Sequence, residues 1–170
     1  GFIGSALVRH LIQNSEATLL NIDALTYAGN LSSLSTIDSS QRYSFLHADI
    51  CEREAMEKAV NDFQPDRIIH LAAESHVDRS IEGPAEFIRT NIVCTAVLLD
   101  VATAFWRRLP ESEQSNFRFQ HVSTDEVFGS LELGGGYFTE ETAYDPRSPY
   151  SASKAGSDHL VRAFYHTYHL

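Results

Sequence analysis

The sequence predicts an α/β fold in which helices cover both faces of a doubly wound parallel sheet, and two observations support this. Segments of strand character alternate along the chain with segments of helical period, as a sheet of this kind requires. The strands are followed by polar or small residues, at Asp23, Asp49, Ala73 and Thr124. Because parallel strands end at one shared edge where ligands bind, we expect the functional residues there.

Each element follows from its local pattern of apolar residues. The expected strands cover residues 18–22, 43–47, 67–73 and 117–123, and the expected helices cover residues 4–13, 52–63 and 84–109. In the first helix Ala6, Leu7, Leu11 and Ile12 are expected to face inward. Pro84 suits the first turn of the long helix, and Ser148 is expected to cap a last helix that begins at Pro149.

Composition and charge restrict the functional class. The 170 residues are 43% hydrophobic and carry a net charge of -10, which suits one globular domain and disfavours binding to nucleic acid. Cys51 and Cys94 lack CxxC spacing and are expected to be small buried residues in a reducing compartment. Asp100 and Arg107 interrupt the longest apolar run, and there is no signal peptide, so neither a membrane span nor secretion is expected. A cytoplasmic protein is therefore expected.

A glycine pair at a helix start predicts a dinucleotide site. Gly1 and Gly4 would let backbone N–H groups and the helix dipole meet a pyrophosphate, although such pairs also occur for steric reasons alone. Asp23 follows at the end of the next strand, where a carboxylate accepts from a ribose 2′-hydroxyl and repels a 2′-phosphate. This favours NAD over NADP. Asp49 is interpreted equally well as a helix cap or as an adenine contact.

Tyr150 and Lys154 lie one helical turn apart and predict an acid/base pair for a sugar hydroxyl. The Lys154 ammonium and the helix N-terminus are both expected to stabilise the Tyr150 phenolate. Thr124, at a neighbouring strand end, could hydrogen-bond the same substrate oxygen.

The adjacent carboxyls of Asp125 and Glu126 favour dehydration over simple hydride transfer. Once an alcohol carbon has been oxidised to a ketone, the proton on the next carbon becomes acidic and a carboxylate can remove it. A second, protonated carboxyl can assist the loss of the hydroxyl beyond it. We therefore expect Asp125 as acid and Glu126 as base; the alternative is a solvated helix start that favours acidic residues.

Six stretches of the chain resemble a known family. They are GFIGSALVRH, NIDALTYAGN, HADIC, HLAAESHVDRSI, STDEVFG and SPYSASKAGSDHLVRA. They are similar to the extended short-chain dehydrogenases/reductases, and among these to the 4,6-dehydratases of the NAD-dependent epimerase/dehydratase family that act on dTDP-glucose. The resemblance implies a Rossmann-like fold and a lyase that oxidises C4 with NAD, eliminates water across C5 and C6 and returns hydride to C6. It also implies a role in deoxysugar pathways such as rhamnose biosynthesis.

The resemblance also implies site residues and assembly. Contacts to NAD are implied for Gly1, Phe2, Ile3, Gly4, Asp23, Ala24, Leu25, Thr26, Asp49, Ile50, Leu71, Ala72, Ala73, Glu74, Ser75, Thr90, Tyr150 and Lys154. Contacts to the sugar are implied for Ser75 and Thr124, and a homodimer is implied. Departures from the family pattern are Phe128 for tyrosine, Cys94 for glycine and a short stretch at residues 131–136. No metal site is expected.

Three further expectations concern extent and alternatives. The chain opens at Gly1 with no strand before it and closes without a helix stop, so residues 1–170 are expected to be a partial NAD-binding Rossmann domain. The first strand and a C-terminal substrate domain would then be missing, and the segment alone would have little or no turnover. The alternatives are a nucleotide-sugar epimerase or decarboxylase, or an inactive NAD-binding fragment.

Overall fold

Strands and helices alternate along the chain in a computed structural model that describes residues 1–170. The chain divides after Gln64 into two units, Gly1–Gln64 and Pro65–Leu170. Each unit contains one pair of parallel strands. The first and second of the four expected strands pair with each other, and so do the third and fourth. Within each pair the strands end on the same side, as the sequence predicts.

The first unit contains α1 (Phe2–Asn14), β1 (Leu19–Asp23), a 3-10 turn (Leu31–Leu34), β2 (Tyr43–His47) and α2 (Arg53–Phe63). β1 and β2 pair in register from Leu19 opposite Tyr43 to Asp23 opposite His47. The core cluster of this unit contains Ile12, Leu34 and Ile37, with Val8, Leu19 and Tyr43 packed against it.

α1 is held at its end by an arginine from outside the helix. Arg42 donates to the carbonyl oxygens of Ile12, Ser15 and Ala17 at 2.6, 2.7 and 3.0 Å, which satisfies acceptors that a helix end leaves free. The predicted inward face is only partly correct. Ile12 is buried, but Ala6 is exposed and the neighbouring Ser5 is buried instead.

The second unit contains β3 (Arg67–His70), α3 (Val77–Glu82), α4 (Pro84–Trp106), α5 (Glu111–Gln114), β4 (Arg118–His121), a 3-10 turn (Asp125–Phe128) and α6 (Pro149–Tyr168). β3 and β4 pair in register from Arg67 opposite Arg118 to His70 opposite His121. α6 ends at Tyr168, because His169 adopts a left-handed conformation whose N–H caps the Tyr165 carbonyl. The expectation that this helix has no stop signal is therefore wrong.

α4 is the central helix of the second unit. It begins at Pro84 as predicted, and a π-helical segment, Arg89–Cys94, interrupts its regular α-helical turns. Its buried side chains include Phe87, Asn91, Thr95, Leu98, Leu99 and Val101. The expectation that Asp100 makes the apolar run too short for a membrane span is wrong, since the 23 residues of α4 are long and apolar enough for one. Half of that window is buried inside the protein, as in a core helix.

The two cysteines differ from the expectation. Cys94 is fully buried in α4, whereas Cys51 is partly exposed. Neither is a free thiol. The sequence therefore predicted the burial of Cys94 but not the chemical state of either residue.

Candidate active site

The end of β4 presents two acidic side chains on a short turn. Thr124 caps the 3-10 turn that follows the strand, because its hydroxyl oxygen accepts from the Glu126 N–H at 3.3 Å. Asp125 and Glu126 occupy the first positions of that turn and are exposed, while Val127 is buried and anchors it. The turn thus holds both carboxyls at the carboxyl end of a parallel strand, as the sequence predicts.

Tyr150 lies in the first turn of α6, directly after a capping box. Ser148 Oγ accepts from the Ser151 N–H at 3.0 Å, and Ser151 Oγ accepts from the Ser148 N–H at 2.9 Å, which starts the helix as predicted. The Tyr150 ring is buried and packs edge-on against Phe87, with 6.4 Å between the ring centroids. Its hydroxyl group hydrogen-bonds the Thr124 side chain. The tyrosine is therefore aimed at the end of β4.

The electrostatic setting of Tyr150 differs from the expectation. Burial raises the pKa of Tyr150, and the charges of Glu126, Asp125 and Asp158 raise it further, while the hydrogen bond with Thr124 lowers it. The expected stabilisation of the phenolate by Lys154 and the helix N-terminus is therefore outweighed, because burial and the three carboxylates together raise the pKa of Tyr150. The result places both carboxyls within electrostatic reach of the phenol.

Lys154 is buried one turn further along α6. Its Nζ donates to the Val122 carbonyl oxygen at 2.6 Å, so the ammonium holds the residue directly after β4 rather than the phenol. Burial lowers the pKa of Lys154, and the charge of Asp158 opposes that shift. Tyr150, Lys154 and Asp158 thus form one row along α6, at successive turns.

Asp158 belongs to a buried polar network that sequence reasoning missed. Its Oδ2 accepts from Ser123 Oγ at 2.5 Å and from the Tyr144 hydroxyl at 3.0 Å, and its Oδ1 lies 3.2 Å from His121 Nε2. Burial raises the pKa of Asp158, but hydrogen bonds from His121, Ser123 and Tyr144 outweigh it and lower the pKa overall. The spacing of 150, 154 and 158 on one helical face was the available signal.

The loop after β3 is held by an asparagine of the π segment. Asn91 Oδ1 accepts from the Glu74 N–H, and Asn91 Nδ2 donates to the Glu74 carbonyl, both at 2.9 Å. Nδ2 also donates to Ser153 Oγ at 2.8 Å, and Ser153 Oγ donates to the Tyr150 carbonyl at 2.7 Å. Asn91 thus links this loop to α6, and composition alone did not single it out.

The other predicted cofactor residues of the second unit lie around this loop. Leu71, Ala72, Ala73 and Ser75 belong to the irregular segment after β3, in which Ser75 is exposed. Thr90 lies in the π segment and is partly exposed, and its hydroxyl donates to Glu86 Oε1 at 3.3 Å. The strand ends at His70, three residues earlier than predicted, and the loop that follows is held by Asn91 through the backbone groups of Glu74.

In the first unit, the start of α1 is open to a ligand. Gly1 caps the 13-residue helix without a side-chain hydrogen bond, and no acidic residue occupies the first turn. A Cβ atom added at Gly1 or Gly4 would meet no atom within 4 Å. Asp23 Oδ2 lies 3.4 Å from the Gly1 nitrogen. The structure therefore brings together the helix start and the carboxylate that the sequence assigned to a dinucleotide.

The turn after β1 is strained at Leu25. Asp23 Oδ1 accepts from the Leu25 N–H at 2.8 Å, and Leu25 has a positive φ of 51°, which is uncommon for its residue type. The chain then folds back so that a Cβ at Gly29 would lie 2.6 Å from the Leu25 Cα, which requires glycine there. Ala24 and Thr26 flank Leu25, and Thr26 is exposed.

Asp49 is not the cap of α2. Its Oδ1 accepts from the Cys51 N–H at 2.9 Å and shapes the turn, while Glu52 occupies the cap position. Ile50 beside it is buried. Of the two interpretations left open by the sequence, the helix cap is therefore wrong and the adenine contact stays a prediction.

Comparison with known proteins gives consistent results. A dTDP-glucose 4,6-dehydratase of Salmonella typhimurium is 59% identical over 178 aligned positions, which cover 100% of this chain and 49% of that protein. The crystal structure of a Streptomyces venezuelae dTDP-glucose 4,6-dehydratase with NAD and TYD bound is 41% identical with a TM-score of 0.88, and the match covers 100% of this chain and 50% of that one. A Bacillus cereus UDP-glucuronic acid 4-epimerase structure is 26% identical with a TM-score of 0.84, covering 100% and 51%.

These matches confirm the predicted α/β Rossmann-like fold and the resemblance to dTDP-glucose 4,6-dehydratases. The chain spans about half the length of the relatives it matches. The family model described as GDP-mannose 4,6 dehydratase matches residues 1–170. The chain therefore belongs to the GDP-mannose 4,6 dehydratase family.

Proposed function

We propose that the protein containing this chain is an NAD-dependent lyase that converts dTDP-glucose to dTDP-4-keto-6-deoxyglucose and water. The observation that carries the proposal is the Asp125–Phe128 turn, which presents two carboxyls at the end of β4 within electrostatic reach of Tyr150. Oxidation alone requires only the tyrosine and lysine. The paired carboxyls supply the acid and the base that elimination needs in addition.

In the proposed reaction Tyr150 removes the proton of the sugar 4-hydroxyl, and Thr124 orients that oxygen through its own hydroxyl. Glu126 then removes the proton from C5, which the neighbouring C4 ketone has made acidic. Asp125 gives its proton to the departing 6-hydroxyl, so water leaves and a C5–C6 double bond forms. When C6 is reduced, Glu126 returns its proton to C5 and the C4 ketone is retained. Tyr150 has then gained one proton and Asp125 has lost one, and transfer of that proton through solvent restores both groups for the next turnover.

The start of α1 and Asp23 fit the pyrophosphate and ribose of NAD, on the observation that the space beside Gly1 and Gly4 is open. NAD, when bound, would accept hydride from C4, return it to C6, and place a positively charged ring that favours a phenolate. The further residues proposed to hold NAD are Phe2, Ile3, Ala24, Leu25, Thr26, Asp49, Ile50, Leu71, Ala72, Ala73, Glu74, Ser75, Thr90, Tyr150 and Lys154. Ser75 is also proposed to contact the sugar.

Replacement of Glu126 by Gln tests the base assignment. In the full-length protein, Glu126→Gln is expected to abolish solvent hydrogen exchange at C5 while oxidation at C4 continues, because the amide cannot accept the proton. The exchange is followed by NMR in deuterated water. Unchanged exchange in the variant would contradict the assignment. Glu132→Gln, in the exposed stretch after the turn, is the matched control.

Product analysis separates dehydration from the reactions of related folds. The structure of similar fold that belongs to an epimerase shows that this architecture also carries reactions without dehydration. Only dehydration yields a 6-methyl group, which one-dimensional proton NMR of the product detects. A product that retains the 6-hydroxyl would contradict the proposed function.

The proposed setting of this activity is a cytoplasmic homodimer that supplies deoxysugar pathways such as rhamnose biosynthesis. Exposed apolar side chains on α4 and α6, among them Ile88, Val93 and Tyr165, support an interface between two copies. The burial of half of α4 supports a role as a core helix rather than a membrane span. The net charge of -10 disfavours nucleic acid as a partner.

A further inference from the structure

The buried carboxylate of Asp158 has no part in the proposed acid and base steps. It lies four residues after Lys154 and eight after Tyr150, so all three side chains project from one face of α6. A buried charge is expensive unless it is paired or hydrogen-bonded, and Asp158 Oδ2 accepts two hydrogen bonds. This arrangement requires an explanation beyond the packing of a helix.

Asp158 joins the elements that carry the site. Ser123 Oγ donates to it at 2.5 Å from the residue directly before Thr124, and the Tyr144 hydroxyl donates at 3.0 Å from the loop that precedes α6. His121 Nε2, at the end of β4, lies 3.2 Å from Oδ1. The Phe128 ring packs edge-on against the Tyr144 ring, with 5.3 Å between centroids. The last residue of the Asp125–Phe128 turn therefore contacts a tyrosine that binds Asp158.

We propose that Asp158 is a positioning residue, which fixes the Ser123–Glu126 segment against the face of α6 that carries Tyr150 and Lys154. The inference deepens the proposed function and rests on it for the roles of Thr124 and Glu126. The positioning role itself requires only that Tyr150 and Lys154 act on an alcohol, and it does not depend on which steps follow the oxidation.

The charge of Asp158 also affects the pKa values of Tyr150 and Lys154. The titratable groups around it are His121 on β4, Tyr144 on the preceding loop, and Lys154 and Arg162 on α6; His70 on β3 faces His121 and Lys154. The Asp158 charge raises the pKa of Tyr150 and also raises that of Lys154 against the effect of burial. Removing one negative charge therefore lowers the pKa of both neighbours.

The test is Asp158→Asn in the full-length protein, with NAD and dTDP-glucose. We expect kcat to fall roughly tenfold or more, since charge-assisted hydrogen bonds are lost. We also expect the limbs of the pH profile of kcat/KM to move to lower pH, because the Asp158 charge raises the pKa of both Tyr150 and Lys154. Asp158→Glu, which keeps the charge, should restore the wild-type limbs. Asp62→Asn, the same charge change on an exposed residue of α2, should leave the profile unchanged.

A folded Asp158→Asn protein with wild-type kcat, or with both limbs at their wild-type pH, overturns the proposal, because a merely structural role would not move the limbs. If circular dichroism shows that this variant does not fold, Ser123→Ala and Tyr144→Phe each remove one hydrogen bond to the same carboxylate. Each should then lower kcat roughly threefold or more, and unchanged kcat in both overturns the proposal.

The proposed function is tested separately by the wild-type product. A product that keeps its 6-hydroxyl contradicts dehydration, while the Asp158→Asn profile still tests positioning, because alcohol oxidation by Tyr150 is common to both reactions. A 6-methyl product with an unmoved Asp158→Asn profile supports dehydration and refutes positioning.

Discussion

Replacing His70 by Gln is expected to make the protein less sensitive to acid. His70 is buried between the strands and α4, with Nε2 2.9 Å from Thr95 Oγ1. Burial, together with the charges of His121 and Lys154, lowers its pKa from 6.5 to about 3. Below pH 6.5 the unfolded chain binds a proton at this residue and the folded protein does not, so stability falls as the pH falls from 6.5 towards 3. At pH 5 this penalty is about 2 kcal/mol.

The assay is urea unfolding of wild type and His70→Gln at pH 7.5 and at pH 5. The free energy of unfolding of the wild type should fall between the two pH values by about 2 kcal/mol more than that of the variant. The difference between proteins isolates His70, because carboxylates that titrate in the same range are common to both. His10→Asn, which removes an exposed histidine of α1, should behave as wild type. Equal losses in wild type and His70→Gln would refute the reasoning.

Three further predictions concern single contacts of the site. Thr124→Val removes the hydrogen bond that lowers the Tyr150 pKa, so the acid limb of the kcat/KM profile should move to higher pH, as steady-state rates across the pH range would show. Asn91→Ala leaves the backbone of Glu74 unpaired in a buried site and should cost about 2–4 kcal/mol in urea unfolding, against less than about 1 kcal/mol for exposed Asn116→Ala. Gly4→Ala should leave stability unchanged or raise it by up to about 1 kcal/mol, yet weaken NAD binding about tenfold by calorimetry if the helix start holds the pyrophosphate.

The local elements were predictable because their signals are local. Pro84 and Ser148 mark helix starts in one or two residues, and both start where the sequence places them. The predicted ends of β3 and β4 were too late, at residues 73 and 123. Asn91 takes the backbone groups of Glu74, and Lys154 takes the Val122 carbonyl. The local pattern of apolar residues could not predict these contacts with side chains far away in sequence.

In the predicted site, too, the features with local sequence signals were predictable and those that depend on distant contacts were not. Thr124, Tyr150 and the acidic turn could be named from spacing, and the structure places them together. The direction of the Tyr150 pKa shift could not be predicted, because it depends on the depth of burial and on carboxylates that approach through the fold. Asp158 was missed because an aspartate on a helix is ordinarily exposed, and only the partners from β4 and the preceding loop explain its burial.

The π-helical segment at Arg89–Cys94 divides α4 into two α-helical parts whose side chains are rotated relative to each other about the helix axis. A π turn takes up one residue more than an α turn, so side chains after it are rotated by roughly 100° relative to an uninterrupted helix. Phe87 before the segment and Leu99 after it are both buried. Deleting a single residue there would restore regular turns and rotate the residues after the segment relative to those before it. The two halves of α4 must therefore be treated as separate periodic patterns when substitutions or relatives are aligned to it.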